Sequence, residues 1–329
     1  MLNAFILNNN RLVQVHLGPL DLAKFNSQEG SDIRPENFIW LDVVAATAEE
    51  RQWVENTYCL TLPKPEHLRD IEASARFYDE EGEVHLRSDF LLGKLSESRS
   101  ITVAFVLTGN ILISVHDEDL PVFRSLRTLS HLQSGEIINS KGVLLDLYSM
   151  DVEFCADALE EVYADLGQVS QTVLQNKLSD KAAAEVLANI AQAEHLNGRI
   201  RRNVMDTRRA MSYLMRSKLL NTEQHEDARQ IMQDIDSLDG HTSFLFDKIN
   251  FLMSATVGFI SINQNKIVRL FSVASVALLP PMLIASIYGM NFHHMPELNW
   301  PAGYAFALVL MVLSVTLPFW LFYKKGWLK

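Results

Sequence analysis

Residues 270–291 read LFSVASVALLPPMLIASIYGMN. From Leu270 to Tyr288 there is no charge, and a helix needs about 20 apolar residues to cross the hydrocarbon core of a bilayer. A second uncharged stretch, Trp300 to Tyr323, follows after a short loop. Pro280-Pro281 in the first and Pro318 in the second would break a helix in water. In a membrane bundle, neighbouring helices tolerate the freed backbone groups. Two spans are therefore expected, with Gly289-Met290-Asn291 placing an uncharged carboxamide at the mouth of a membrane path. The competing reading is a pair of buried helices in a soluble protein.

Flanking charge gives the orientation. Lys266 and Arg269 precede the first span, Lys324, Lys325 and Lys329 follow the second, and the loop from Gly289 to Pro301 has no Lys or Arg. The positive-inside rule puts both termini in the cytoplasm and the loop outside. Tyr288, Trp300, Tyr304, Trp320, Tyr323 and Trp327 stand near the span ends, where interfacial aromatic belts belong. Met1 to Phe5 lacks a basic segment followed by an apolar one, so no cleaved leader is expected and the N-terminal body stays inside.

The chain has 29 Lys+Arg and 40 Asp+Glu. Only Glu297, Lys324, Lys325 and Lys329 lie beyond Leu270, so nearly all the acidic excess sits in the body before the spans. Such a body repels nucleic acid and attracts cations. Cys59 and Cys155 are far apart with no C-x-x-C, which supports neither a disulfide framework nor a thiolate metal site.

The body reads in two parts, an α/β domain over 1–140 and a long-helix stalk over 141–269. In the first, Val103–Leu107, a turn at Thr108-Gly109-Asn110, and Ile111–Val115 predict a β-hairpin. Phe38–Val44 predicts a strand, and Thr47-Ala48-Glu49-Glu50 a helix-opening capping box. Pro63-Lys64-Pro65 followed by Leu68–Glu72 suggests a turn and a short helix. From Gly142 apolar residues recur at three- and four-residue steps. A break is expected at Ser179-Asp180-Lys181 and a turn at Lys218 to Asn221. From Thr222 the helical pattern runs to Tyr288, with Gly240 and Gly258 as weak points. One helix of that length would reach on the order of 100 Å, the length of a shaft running from cytoplasm into membrane. The remaining segments are 270–288 (first span), 289–299 (outer loop), 300–323 (second span) and 324–329 (basic tail).

Two spans per chain do not enclose an aqueous path, but a symmetric ring with one helix per subunit on its axis does. Asn265, Ser272, Ser275, Leu279, Met282, Ser286 and Asn291 form a face on the first span. Small hydroxyls and amides along one stripe can hydrogen-bond the waters of a hydrated ion, and Leu279 and Met282 suit a dewetting constriction. The same serines also suit tight helix packing. The Leu- and Val-rich second span should face lipid. Neither span holds a carboxylate, which favours an ion that keeps its water, and magnesium dehydrates reluctantly. Acidic residues crowd the stalk, among them Asp234 and Asp236. They read either as solvated helix faces or as sensors of divalent cations.

Tyr288-Gly289-Met290-Asn291-Phe292, Met295-Pro296-Glu297-Leu298 and a second span ending in lysines resemble the CorA family of divalent-cation channels, which transport magnesium, cobalt and nickel. Leu279-Pro280-Pro281, Asn263-Gln264-Asn265 and Asp70–Phe77 are similar to its proteobacterial branch. The resemblance covers essentially the whole chain. It implies a funnel-shaped homopentamer in the bacterial inner membrane, with an N-terminal α/β domain packed on long helices and the last of these lining the pore. It implies Mg²⁺ import, often with Co²⁺ and Ni²⁺, with Asn291 binding the hydrated ion. Cytoplasmic Mg²⁺ bound between subunits would close the pore. Asp89, Asp234 and Asp236 are the candidates for that regulatory site.

Two positions depart from the family. His293 stands where family loops often carry an acid, next to His294, while Glu297 remains. Imidazoles are good ligands for Zn²⁺, Ni²⁺ and Co²⁺, so a transition-metal transporter is the alternative. Met282 stands where a threonine is common, removing one pore hydroxyl. A membrane-anchored sensor without a pore is a further reading. An enzyme is not expected, because no phosphate loop, nucleophile elbow, H-E-x-x-H or cofactor signature is present.

Overall fold

The computed structural model describes residues 1–8, 11–16, 34–63, 76–80, 82–93, 98–132, 139–174, 180–291 and 295–326. The chain divides into two compact units. The first comprises Met1–Thr172 and Glu185–Met253, the second Val173–Ala184 and Ser254–Lys329.

The first unit is built on a seven-stranded sheet with the order β2-β1-β3-β7-β6-β5-β4. The strands are β1 (Leu2–Asn8), β2 (Arg11–His16), β3 (Phe38–Val44), β4 (Phe77–Glu80), β5 (Glu83–Leu92), β6 (Arg99–Thr108) and β7 (Ile111–His116). Every pairing is antiparallel except β3 with β7. β3 carries a continuous run, FIWLDVV, because it is interior and wholly buried. β6 and β7 form the expected hairpin, with Thr108 opposite Ile111. Gly109 takes a left-handed φ of +54° in its two-residue loop, a conformation a Cβ would penalise.

Helices cover both sheet faces. Thr47 caps α1 (Ala48–Tyr58) through the reciprocal box with Glu50. Its Trp53 and Val54 join Leu41 and Val43 in one core cluster. The alternate residues of β3 face the other way, where Trp40 stacks on Phe5 at 4.5 Å and meets Phe123 of α2 (Pro121–Leu132). Tyr148 of α3 (Ser140–Leu174) reaches the same face, lying against Phe90 and Phe105 with its hydroxyl 2.8 Å from Ser88 Oγ.

α3 packs with α4 (Asp180–Arg216) and α5 (Thr222–Tyr288). Asn197 of α4 donates to the Thr242 carbonyl at 3.0 Å, and Tyr163 Oη of α3 lies 3.0 Å from His241 Nδ1. Between α4 and α5, Lys218 has a φ of +56°. Asn221 and Gln224 then form a second reciprocal cap, each side chain bonding the other's backbone N–H. α5 continues through Gly240 and Gly258 and contributes to both units. Lys64 to Glu72 and Asp70 to Ala75, where sequence reading expected a short helix and found a family likeness, lie outside the described residues.

The second unit contains the end of α5, a 3-10 turn at Pro296–Asn299, and α6 (Gly303–Lys324). α6 begins three residues after Trp300, because Pro301 biases the residue before it away from the helical region. Pro280, Pro281 and Pro318 all sit inside helices.

Candidate ion pathway

The apolar end of α5 and the whole of α6 are long and apolar enough to cross a membrane. Only 11% and 6% of their apolar windows are buried. A core helix of a soluble protein would be mostly covered. Thr316 Oγ1 of α6 donates to the Val312 carbonyl at 3.0 Å and Ser314 Oγ to Met311 O at 2.7 Å. Satisfying hydroxyls within the helix is what a hydrocarbon surrounding requires. Lys324 lies 5.2 Å over the Trp320 ring at the end of α6.

α5 has two distinct sides in the second unit. Val273 and Ala277 are buried, and Pro280, Pro281, Ile284 and Tyr288 are half-buried on the same side. Asn265, Ser272, Ser275, Leu279, Met282 and Ser286 are all exposed. At 3.6 residues per turn these six fall within an arc of roughly 100°, centred roughly 160° from the buried side. Ser254 and Ser261, also exposed, fall in the same arc. Sequence reading missed them although they continue the stripe at seven- and four-residue steps. The packing of α5 therefore uses the opposite side, and the polar stripe is left without a cover in the single chain. Ser272 Oγ bonds the Val268 carbonyl at 2.8 Å, which leaves its oxygen able to accept from water.

The stripe ends at the motif. Gly289 N–H bonds Ala285 O at 3.0 Å and Met290 N–H bonds Ile287 O at 3.2 Å, closing the helix. A Cβ at Gly289 would sit 3.2 Å from Ala285 O, so the position takes glycine for close approach. Asn291 follows, exposed. His293 and His294 lie outside the described residues. Glu297 falls in the 3-10 turn before Trp300.

The three carboxylates expected at a regulatory site have different surroundings. Asp89 on β5 is buried, lies 3.6 Å from Arg76 Nη2 and accepts from Thr102 Oγ1 at 2.6 Å. Asp236 is exposed and paired with Arg208. Asp234 is exposed and lines a groove of about 480 Å³ between α3 and α5, with Glu153, Glu160 and His241. Within one chain, the described residues contain no group of three or more His, Cys, Asp or Glu able to hold a metal ion.

Behind Asp89, Asp151 of α3 is fully buried and accepts hydrogen bonds from Leu91 N–H and, at 3.4 Å, from Asn203 Nδ2. Burial raises its carboxyl to about 8, the Leu91 bond opposes the rise, and the nearby Asp89 adds to it. Asp206 of α4 is raised for the same first reason, with Arg76 pulling it back.

A mixed α/β unit with long helices, the last of which ends in an apolar stretch with a polar stripe closed by a glycine and is followed by a second apolar helix, has the organisation of a two-span membrane transport protein. Residues 35–324 match the family described as CorA-like Mg2+ transporter protein, and the chain belongs to the CorA family. That family is one of transporters and not of enzymes. The chain is 40% identical over 329 residues to a magnesium transport protein CorA of Haemophilus influenzae, covering all of both. It is 38% identical to one from Escherichia coli K12, again over the full length of both. The complete structure of a CorA magnesium transporter from Methanocaldococcus jannaschii superposes with a TM-score of 0.77 at 17% identity, covering 99% of this chain and 98% of that one. This last likeness concerns the fold.

Proposed function

We propose that the chain is a channel passing hydrated Mg²⁺, with Co²⁺ and Ni²⁺ as further cargo, into the cytoplasm through a homopentamer in the bacterial inner membrane, both termini inside. The observation that carries this is the exposed polar stripe of α5, opposite the buried side and ending at Gly289-Met290-Asn291. A stripe of amides and hydroxyls with no carboxylate suits an ion that retains its waters, and Asn291 would read the hydration shell at the mouth. Leu279 and Met282 would form the apolar constriction, its character sharpened by a methionine where the family often has threonine.

A ring is supported by α5 itself. Phe244 and Phe251, seven residues apart, are 58% and 64% exposed, and Phe246 and Met253 form a second exposed line at the same step. Two apolar lines on either side of Asp247 and Asn250 are what a helix needs to touch a copy of itself on each side.

In this reading cytoplasmic Mg²⁺ binds between subunits and shifts the population toward the closed ring. Asp234 is the best placed of the expected carboxylates, being exposed in an acidic groove. Asp236 and Asp89 would join only by leaving Arg208 and Arg76. Flux into liposomes with and without Mg²⁺ on the cytoplasmic side tests the gating, and equal rates would refute it.

His293 and His294 support a second reading, in which Zn²⁺, Ni²⁺ or Co²⁺ is the preferred cargo. Competition of Zn²⁺ against Mg²⁺ distinguishes the two, since replacing both histidines should shift the ratio only if they contact the ion.

A further inference from the structure

In a strongly acidic body, α4 carries five arginines within Arg199–Arg209, and three of them face one cavity. The cavity has a volume of about 760 Å³ and lies between α4 and strands β5 and β6. Arg201, Arg202 and Arg209 line it from α4, Arg76 from the position just before β4, and Ser100 from β6. Arg202 and Arg209 are seven residues apart, and with Gly198, Arg201, Met205 and Asp206 they lie along one face of α4. A space of that size falls in the range of small-molecule sites, about 300–1,000 Å³.

The charge in this cavity is not balanced. Its two carboxylates, Asp89 and Asp206, are both engaged by the buried Arg76. Arg209 leans on Asp206 at 3.5 Å with its side chain 51% exposed, and Arg201 approaches Asp239 only to 3.9 Å. Arg202 has no ion-pair partner among the described residues and is exposed. A guanidinium is permanently charged, so an anion is the natural partner for such a group of arginines. Its planar fork matches two oxygens of a phosphate, and several forks on one wall match linked phosphates.

We propose that this cavity binds a small phosphate-bearing anion of the diphosphate class. Arg201 and Arg202 supply the forks, Arg209 adds charge, and Ser100 adds a hydroxyl donor. Arg76 with its two aspartates forms the fixed floor. Because Arg76 pairs with both aspartates, each carboxylate of the cavity is already neutralised, and the cavity takes the anion in its metal-free form. Added Mg²⁺ therefore weakens binding by withdrawing the anion into its complex.

The test is calorimetric titration of inorganic pyrophosphate into the full chain in detergent, in magnesium-free buffer. The wild type should show saturable submillimolar binding. The exposed pair changed by Arg201→Gln and Arg202→Gln should weaken it by roughly tenfold per arginine, the loss expected for a charge-assisted bond. Melting temperature should stay within about 2 °C of wild type, the scale of a surface change. Arg201→Lys with Arg202→Lys keeps the charge but not the fork and should fall between. No saturation up to about 10 mM, or equal affinity in the glutamine variant, would overturn the proposal.

Discussion

Gly289 donates its backbone N–H to the Ala285 carbonyl at 3.0 Å, and a Cβ on Gly289 would stand 3.2 Å from that same oxygen. The last turn of α5 thus closes at a distance that a methyl group would disturb by a few tenths of an ångström. Gly289→Ala should displace Met290 and Asn291 while leaving the helices in place. We expect Mg²⁺ uptake by liposomes to fall by roughly tenfold or more, as misplacement of a positioning group does, with unchanged helical circular dichroism. An unchanged rate would show that the mouth does not depend on this contact.

Asp42 is fully buried in the interior strand β3 and accepts from Ser114 Oγ at 2.8 Å, Arg127 Nη1 at 2.7 Å and His116 Nε2 at 2.8 Å. Removing one member of a buried charge network strands the others. Asp42→Ala should cost about 3–5 kcal/mol, measured as earlier unfolding in urea. A loss below about 1 kcal/mol, the scale of a surface pair, would contradict this.

Asp151 has a folded value near 8 against an ordinary 3.8, so the unfolded chain releases this proton first as pH rises. Its contribution to stability is fully present below the unfolded value. It falls by about 1.4 kcal/mol per pH unit through the window and levels off above the folded value. Asp151→Asn removes the titration. The melting-temperature difference, variant minus wild type, should therefore rise from pH 5 to pH 8. A difference constant with pH would mean that Asp151 keeps its charge when buried.

Phe251 is 64% exposed one helical heptad from Phe244. In the proposed ring, Phe251→Glu should place a charge in a subunit contact and break the assembly into smaller species on native mass spectrometry. An intact assembly would remove these lines from the interface.

The two apolar C-terminal helices were legible because length and absence of charge are local properties of the sequence. The Gly289-Met290-Asn291 closure, the Thr47–Glu50 cap and the β6–β7 hairpin were legible for the same reason, since each is fixed within a few residues. The sheet order was not, because β3 pairs with β7 across most of the domain. Nor was the setting of Asp89 and Asp42. Arg76 and Asp206, which enclose Asp89's surroundings, are 130 residues apart, and His116 and Arg127 lie 74 and 85 from Asp42. An acidic residue in the sequence carries no sign of whether an arginine already holds it. The polar stripe was visible as spacing, but that α5 packs within the chain on its other side was not.

The central claim is that Asn291 recognises a hydrated divalent cation at the mouth of a pore. It is tested most directly by Mg²⁺ flux into proteoliposomes carrying the wild-type chain or Asn291→Ala. The account predicts Mg²⁺ entry with the wild type and a rate near that of empty liposomes with the variant, both proteins having the same oligomeric state. Equal flux through the two would contradict it, and no flux through either would leave the chain a sensor without a pore.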